Sequence, residues 1–488
     1  MSMFPSSAIG LPQSLKYDLP PSLSDSARSY SVNVAPDGVT SVALPATTAT
    51  AFVANSTGAF GNMTAQIVSF TIPSGMSDSV FMDPSATTLS FTLTYTVATT
   101  NATGAVAASL NLIGSGASFF DSLVLYSNNT PVETVNAYSL LANLLLNNTV
   151  NASERSGGIS TCMGSDSNSL NGIDLAWAVG TYRYNFCIPL ISVIGINTEK
   201  MFPVGSLNNL QLQMTTSNVY PIVSYCTTVP TAKPAFSNLL LSEFQLNMKY
   251  IDVGDMAAAM LRQTLQDGKW LIKSSTYTNS AITIPQNSSG SQQLLLQIRN
   301  SSVKSIYHQF GVPQSAVCPN GYFDALNPSL SSRQLQTGSG FWPNRPINDI
   351  QRPAEGYMYL IQSFGGNIPK SLGTVVNRDS YNNCLPSVPA GSDSQLVTPA
   401  AGLRPLASGG DNPVGQISKF PNMAYYGYDL EKSAGVLFQG INTRASPPFL
   451  NLILAQAFST GTLLCQAWGF SDVVLVVDTV SKQIQAFV

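Results

Sequence analysis

Charge is scarce in this chain. Asp, Glu, Lys and Arg make up 10% of its 488 residues, against ~25% in ordinary globular proteins. The net charge is −3, and Lys and Arg occur only singly. An electrostatic footprint for phosphate is therefore missing, and no sequence-specific nucleic-acid binding is expected. Histidine is almost absent, with His308 alone. A Ser-His-Asp or Cys-His pair would have to use it. It lies in Ile306-Tyr307-His308-Gln309-Phe310, a strand-like run ending at a turn, which reads as a structural or surface histidine. None of the G-x-S-x-G, H-E-x-x-H, Walker A or G-x-G-x-x-G patterns occurs. No run of ~18 apolar residues is present, so no helical membrane span is expected. Met1 to Pro21 shows no cationic stretch followed by an apolar one, so no signal peptide is expected. Cys162, Cys187, Cys226, Cys318, Cys384 and Cys465 lie far apart without a C-x-x-C pair. They read as free, mostly buried thiols, not as a zinc site. The expectation is a protein without catalytic, cofactor or metal residues.

Apolar residues make up 44% of the chain, enough for roughly two to three domain cores. Ser, Thr, Asn, Gln and Gly fill the remaining surface, a mixture suited to sheets and to surfaces covered by neighbours, where unpaired charge is costly to desolvate. Sequons at Asn55, Asn62, Asn101, Asn151, Asn287 and Asn300 follow from this composition.

Period-two alternation marks the strands. It is clearest at Leu89, Phe91, Leu93, Tyr95 and Val97, set against Ser90, Thr92, Thr94 and Thr96. It recurs at Val68, Phe70 and Ile72, and over Ser242–Tyr250. Further strands are expected at Ala107–Ile113, Ser122–Tyr126, Tyr182–Leu190, Leu207–Met214, Trp270–Ile284, Gln293–Ile298, Val303–Phe310, Glu355–Ser363, Ala424–Leu430, Gly435–Phe438, Asn451–Phe458, Gly461–Trp468 and Asp472–Val480. Helices are expected at Asn136–Asn148, starting on an Asn cap, and at Asp255–Asp267, capped by Asp255. Their Leu and Met stripes read as core packing. Residues 1–30 read as an arm, 31–252 and 271–488 as two β-rich blocks, and 253–270 as a linker helix. Residues 313–355 and 365–420 read as long loops. No residue-level repeat relates the blocks.

A few segments invite chemistry. Asp166-Ser-Asn168-Ser-Leu-Asn171-Gly172-Ile-Asp174 has a partial calcium-loop look but lacks the closing bidentate Glu. Asp429 and Glu431 flank Leu430 on one expected strand, so both would point to one face, of solvent or interface. Tyr425-Tyr426-Gly427-Tyr428 and Phe341-Trp342-Pro343 would serve as stacking platforms or, more simply, as anchors of loops and subunit contacts.

Certain motifs carry a family likeness. Phe186-Cys187-Ile188-Pro189-Leu190, then Lys200-Met201-Phe202-Pro203-Val204-Gly205-Ser206-Leu207, stand in the first half. Gly365-Gly366-Asn367-Ile368-Pro369, Tyr428-Asp429-Leu430-Glu431-Lys432 and Gly440-Ile441-Asn442-Thr443-Arg444-Ala445-Ser446 stand in the second, before a final strand at Asp472–Val480. In order and spacing this resembles the major capsid proteins of the double jelly-roll lineage of tailless phages and adenovirus, most nearly its virophage and polinton-like branch. The resemblance implies an all-β fold of two tandem eight-stranded antiparallel jelly rolls, with short helices and long surface loops. It also implies a homotrimer of pseudo-hexagonal outline that tiles an icosahedral shell. Partners would be neighbouring capsomers, penton and minor capsid proteins, and any internal membrane. Two other readings fit the residues: a secreted or surface β-sandwich adhesin or carbohydrate-binding protein, and a single jelly-roll RNA-virus coat with a projecting domain.

Overall fold

The structure, a computed structural model, describes residues 28–43, 57–58, 65–97, 108–150, 162, 172–175, 179–218, 221–226, 236–263, 265, 267–311, 313, 325–326, 328, 330–365, 381, 424–431, 439–455 and 462–488. The expected strand at Gly435–Phe438 and the loop at 365–420 fall almost wholly outside them.

In the first half, eight strands follow one path. They are β1 (Arg28–Val34), β4 (Ile67–Ile72), β5 (Val80–Val97), β7 (Phe120–Ser127), β8 (Thr130–Asn136), β10 (Gly180–Pro189), β11 (Leu210–Thr216) and β13 (Phe236–Asp252). They form two sheets, in the orders β1-β13-β5-β10 and β4-β11-β7-β8, with β2 (Ser41–Ala43) added beside β13. In the second half the eight are β14 (Lys269–Ile284), β15 (Gly290–Leu295), β16 (Val303–Gly311), β17 (Leu330–Thr337), β18 (Gly340–Ile347), β19 (Tyr425–Asp429), β20 (Phe449–Leu454) and β21 (Leu463–Asp478). Their sheets run β14-β21-β16-β19 and β15-β20-β17-β18, with β22 (Gln483–Phe487) added beside β21.

Counted along the chain within each half, both pairs of sheets have the same order: first-eighth-third-sixth, and second-seventh-fourth-fifth. Every pairing is antiparallel. That is one jelly-roll winding used twice. Helix α1 (Tyr138–Thr149) follows the fifth strand of the first roll, and α3 (Pro353–Ser363) follows the fifth strand of the second. The linker carries α2 (Asp255–Gln263). The halves are alike in winding although no residue-level repeat is visible.

The first roll carries a further sheet, ordered β3 (Thr57–Gly58), β12 (Ile222–Cys226), β6 (Ala108–Ile113) and β9 (Gly172–Leu175). These four strands come from the first-to-second, seventh-to-eighth, third-to-fourth and fifth-to-sixth connections respectively. Those connections leave the same end of the roll, so each contributes one strand to a crown there.

The alternation that marks β5 places Leu89, Phe91, Leu93, Tyr95 and Val97 in the core. Phe91 meets Phe119, Phe120, Phe186 and Phe244 at centroid separations from 5.3 to 6.0 Å, mostly in edge or tilted contacts favourable beyond their burial. The core runs without a break into the second roll. A satellite of Phe81, Val253 and Ala258 with Trp270 lies under α2.

Several expectations are corrected. Residues 313–355 do not form one irregular stretch, because β17 and β18 lie inside it. Polar residues hide β17, whose inward position 333 holds a fully buried arginine. Pro343 and Pro346 hide β18, which among the described residues is an edge strand paired with β17 and so tolerates missing donors. Glu355–Ser363 is helical. Gly356, Leu360 and Ser363 are buried at helical spacing, and Pro353 occupies the first turn. The two strands expected at 461–468 and 472–480 meet in one long strand, β21, over Leu463–Asp478, interrupted in sequence but not in space. Helix α1 starts at Tyr138 with Ala137 as its cap at φ 50°, not on an Asn cap. The expected helix at Asp255–Asp267 ends at Gln263.

Candidate functional site

Two of the motif segments, Lys200–Leu207 and Gly440–Ser446, occupy equivalent places in the two rolls. In each, the sixth-to-seventh connection docks on the start of the third strand. Phe202 and Met82 exchange both backbone hydrogen bonds, at 2.7 and 2.8 Å, and Ile441 and Val303 do the same at 2.9 Å each. A glycine makes each approach possible. A Cβ on Gly205 would lie 1.7 Å from the Ser77 carbonyl oxygen, and one on Gly440 would lie 2.4 Å from that of Val303. Asn300 and Thr443 then close the second loop. The Asn300 N–H donates to Thr443 Oγ1 at 3.0 Å, and the Thr443 N–H donates to the Asn300 carbonyl at 2.9 Å.

Beside that loop, Lys304 pairs with buried Asp472 at 2.8 Å and reaches Glu431 at 3.7 Å. Ser302 Oγ donates to Asp472 Oδ2 at 3.0 Å. The two acids flanking Leu430 are thus divided. Glu431 turns toward Lys304, while exposed Asp429 caps the Glu431 N–H at 3.0 Å. Desolvation pushes the Asp429 carboxyl above its usual range. No paired-carboxylate arrangement of the glycosidase kind is built from them.

Tyr425, Tyr426 and Tyr428 are buried rather than offered as a platform. Tyr426 and Tyr428 stack on His308 at 4.9 and 5.7 Å. The Arg333 guanidinium lies 4.9 Å from the Tyr426 centroid and 5.3 Å from that of Tyr428. Arg333 Nε donates to Asp349 Oδ2 at 2.6 Å, and Tyr381 Oη donates to Asp349 Oδ1 at 2.7 Å. Burial works against the Arg333 charge, but Asp349 beside it holds the guanidinium firmly protonated. Burial and Arg333 together keep His308 neutral, far below its ordinary value. Neither His308 nitrogen has a hydrogen-bond partner among the described residues. Cys465, two residues from the position paired with His308, is buried and its thiol pushed up by desolvation. A reactive thiolate needs the opposite environment. The pair supplies no nucleophile, and His308 is a core stacking residue.

Phe341 is exposed and Trp342 half-buried before a cis Trp342-Pro343 bond on the edge strand β18. The Asp166–Asp174 segment lies outside the described residues except for Gly172, Ile173 and Asp174, whose backbone is in β9. No cluster of three or more His, Cys, Asp or Glu side chains converges among the described residues. Cys162, Cys187 and Cys465 are free. No described helix is long and apolar enough to cross a membrane.

What the sequence did not indicate is the seam between the rolls. β8, an edge strand of the first, lies against β14, an edge strand of the second. Glu133 on β8 accepts a hydrogen bond from Thr276 Oγ1 on β14 at 2.8 Å. Thr198 Oγ1 and Ser274 Oγ lie 2.6 Å apart. Asn147 Nδ2 donates to Tyr425 Oη at 2.8 Å, and Trp468 Nε1 to the Asn136 carbonyl at 3.4 Å. Ser and Thr, scattered through the whole chain, gave no signal of this.

No protein-family model and no curated protein sequence matches the chain. Solved structures do. The mavirus major capsid protein aligns at a TM-score of 0.51 and 10% identity, over 100% of this chain and 95% of its own. The Faustovirus major capsid protein gives 0.52 and 9%, over 96% and 93%. A chain of the Sputnik virophage structure gives 0.52 and 10%, over 98% and 92%. At such identities the likeness concerns fold, and the fold of this chain is the double jelly roll found in these viral proteins.

Proposed function

We propose that this protein is a structural major capsid protein of an icosahedral DNA virus. The carrying observation is that one chain repeats a single jelly-roll winding in two rolls joined along a packed seam, aligned end to end with viral major capsid proteins. Two similar rolls per chain make six wedges in a trimer, which gives a three-fold object a pseudo-hexagonal outline. Heterologous contacts of this kind close into a ring, and such a capsomer packs on hexagonal positions of a shell. The adhesin reading is set aside, because neither the duplicated winding nor the full-length alignment follows from it.

In this proposal residues 1–30 are an arm, 31–252 and 271–488 the two rolls, and 253–270 the linker. The partners are two further copies of the chain, neighbouring capsomers, penton and minor capsid proteins and, where the virion has one, an internal membrane. The location is the virion, after assembly in the host cytoplasm or nucleus. The crown on the first roll and the connections within 313–355 and 365–420 would project from the shell. Light scattering of the purified protein tests this. A mass near three 51.8 kDa chains, with hexagonal particles or closed shells in negative stain, is expected. A monomer that never assembles, at high concentration or with divalent ions, would overturn it.

A further inference from the structure

Glu133 is a buried carboxylate that touches three separate elements. Oε2 accepts from Ser192 Oγ at 2.5 Å and from the Val193 N–H at 2.9 Å, both in the connection after β10. Oε1 accepts from Thr276 Oγ1 of the second roll at 2.8 Å. The same connection is fixed to β14 by the Thr198 bridge to Ser274 and by Ser274 Oγ, which donates to the Asn197 carbonyl at 3.2 Å. Thr198 Oγ1 also approaches the Val193 carbonyl at 2.5 Å. No ion pair among the described residues includes Glu133. The Tyr138 phenol on α1 feels its charge and is pushed up by burial and by this carboxylate.

We propose that Glu133 is a proton-operated clasp between the two rolls, which holds them together more tightly when its carboxyl is neutral. The chemistry lies in its partners. Val193 N–H can only donate, but the Ser192 and Thr276 hydroxyls can donate or accept. A proton taken up on Oε1 turns that bond around: the new O–H donates to Thr276 Oγ1, whose own hydrogen rotates away. Oε2 keeps its two donors. Protonation therefore leaves the number of hydrogen bonds at Glu133 unchanged and removes a buried charge that has no counter-ion among the described residues. Desolvation raises the Glu133 pKa despite the three hydrogen bonds. The sign follows. A carboxyl whose folded pKa is raised adds stability that is complete below its unfolded value and is lost as pH rises through its folded value. Acid tightens this seam.

The test is amide hydrogen exchange, corrected for intrinsic rates, over peptides 130–136 and 274–278 of the whole protein. Wild type, Glu133→Gln and Thr276→Val are compared at pH values from 5 to 9. In wild type, seam protection should fall as pH rises through the titration, by up to about tenfold per pH unit, the limit for one proton. Glu133→Gln, whose amide donates to Thr276 while its carbonyl accepts from Val193, should keep high protection with that pH dependence removed. Thr276→Val takes away the donor to Oε1 and should move the fall to higher pH. An identical pH profile in wild type and Glu133→Gln overturns the proposal. If Glu133→Gln does not fold, an unmoved profile in Thr276→Val overturns it.

Discussion

Ile441 is tied to Val303 by two reciprocal backbone hydrogen bonds, and Phe202 is tied to Met82 in the same way in the other roll. Each pair joins the sixth-to-seventh connection to the beginning of the third strand. Two loops of unrelated sequence have thus arrived at one solution, and each needs a residue without a side chain at the point of closest approach.

That need gives the first prediction. Gly205→Ala and Gly440→Ala place a Cβ against backbone atoms that cannot swing aside. Each should lower stability by about 1–3 kcal/mol, the usual cost of overpacking a closed site. Denaturant midpoints at fixed protein concentration measure it. An unchanged midpoint for both would mean that the loops are not held where they are described.

Arg333 and Asp349 are 0% and 1% exposed. A lone charge left there has no solvent to turn to. Arg333→Leu, which strands Asp349, should cost about 3–5 kcal/mol, whereas replacing both residues with leucine should recover much of that loss. Urea unfolding of Arg333→Leu, Asp349→Leu and the double variant decides it. A double variant no better than the worse single one would show that packing around the pair, not stranded charge, sets the cost.

His308 makes an acid prediction of opposite sign to that for Glu133. Its folded pKa lies well below its ordinary value because burial and Arg333 oppose the charged ring. The unfolded chain takes up this proton near pH 6.5, while the folded chain refuses it. Its contribution is complete above that value and is lost as pH falls, by up to about 1.4 kcal/mol per pH unit. His308→Phe should flatten the decline in melting temperature below pH 6.5. A slope equal to wild type would mean that His308 already carries its proton when folded.

The strands legible in the sequence are those with one wet face and one dry face, such as Leu89 to Val97. Legibility failed where the core is polar or the backbone special. β17 points Arg333 inward and so reads as a loop. β21 was divided at Gly469 and Ser471, just before Asp472, yet each of these three residues has a structural reason. A Cβ at 469 would lie 2.5 Å from the Ile298 side chain, Ser471 Oγ accepts from Asn300 Nδ2 at 2.7 Å, and Asp472 pairs with Lys304. Tyr357 and Tyr359 lend α3 the look of a strand, although the burial at 356, 360 and 363 is helical. The motif loops were visible because glycine and proline punctuate them. Glu133 was invisible, since one acid among many carries no sign of the partners that the fold will bring to it.

The last prediction concerns cooperativity across the seam. The core is continuous from one roll to the other, and Asn147 at the end of α1 reaches the Tyr425 hydroxyl of the second roll. Two rolls that share a core should unfold together, so calorimetry at fixed protein concentration should show one transition, not one per roll. A neutral buried hydrogen bond contributes about 0.5–1.5 kcal/mol, and Asn147→Ala with Tyr425→Phe should show a coupling of that size in a double-mutant cycle. Zero coupling together with two resolved transitions would mean that the rolls fold independently and only rest against each other.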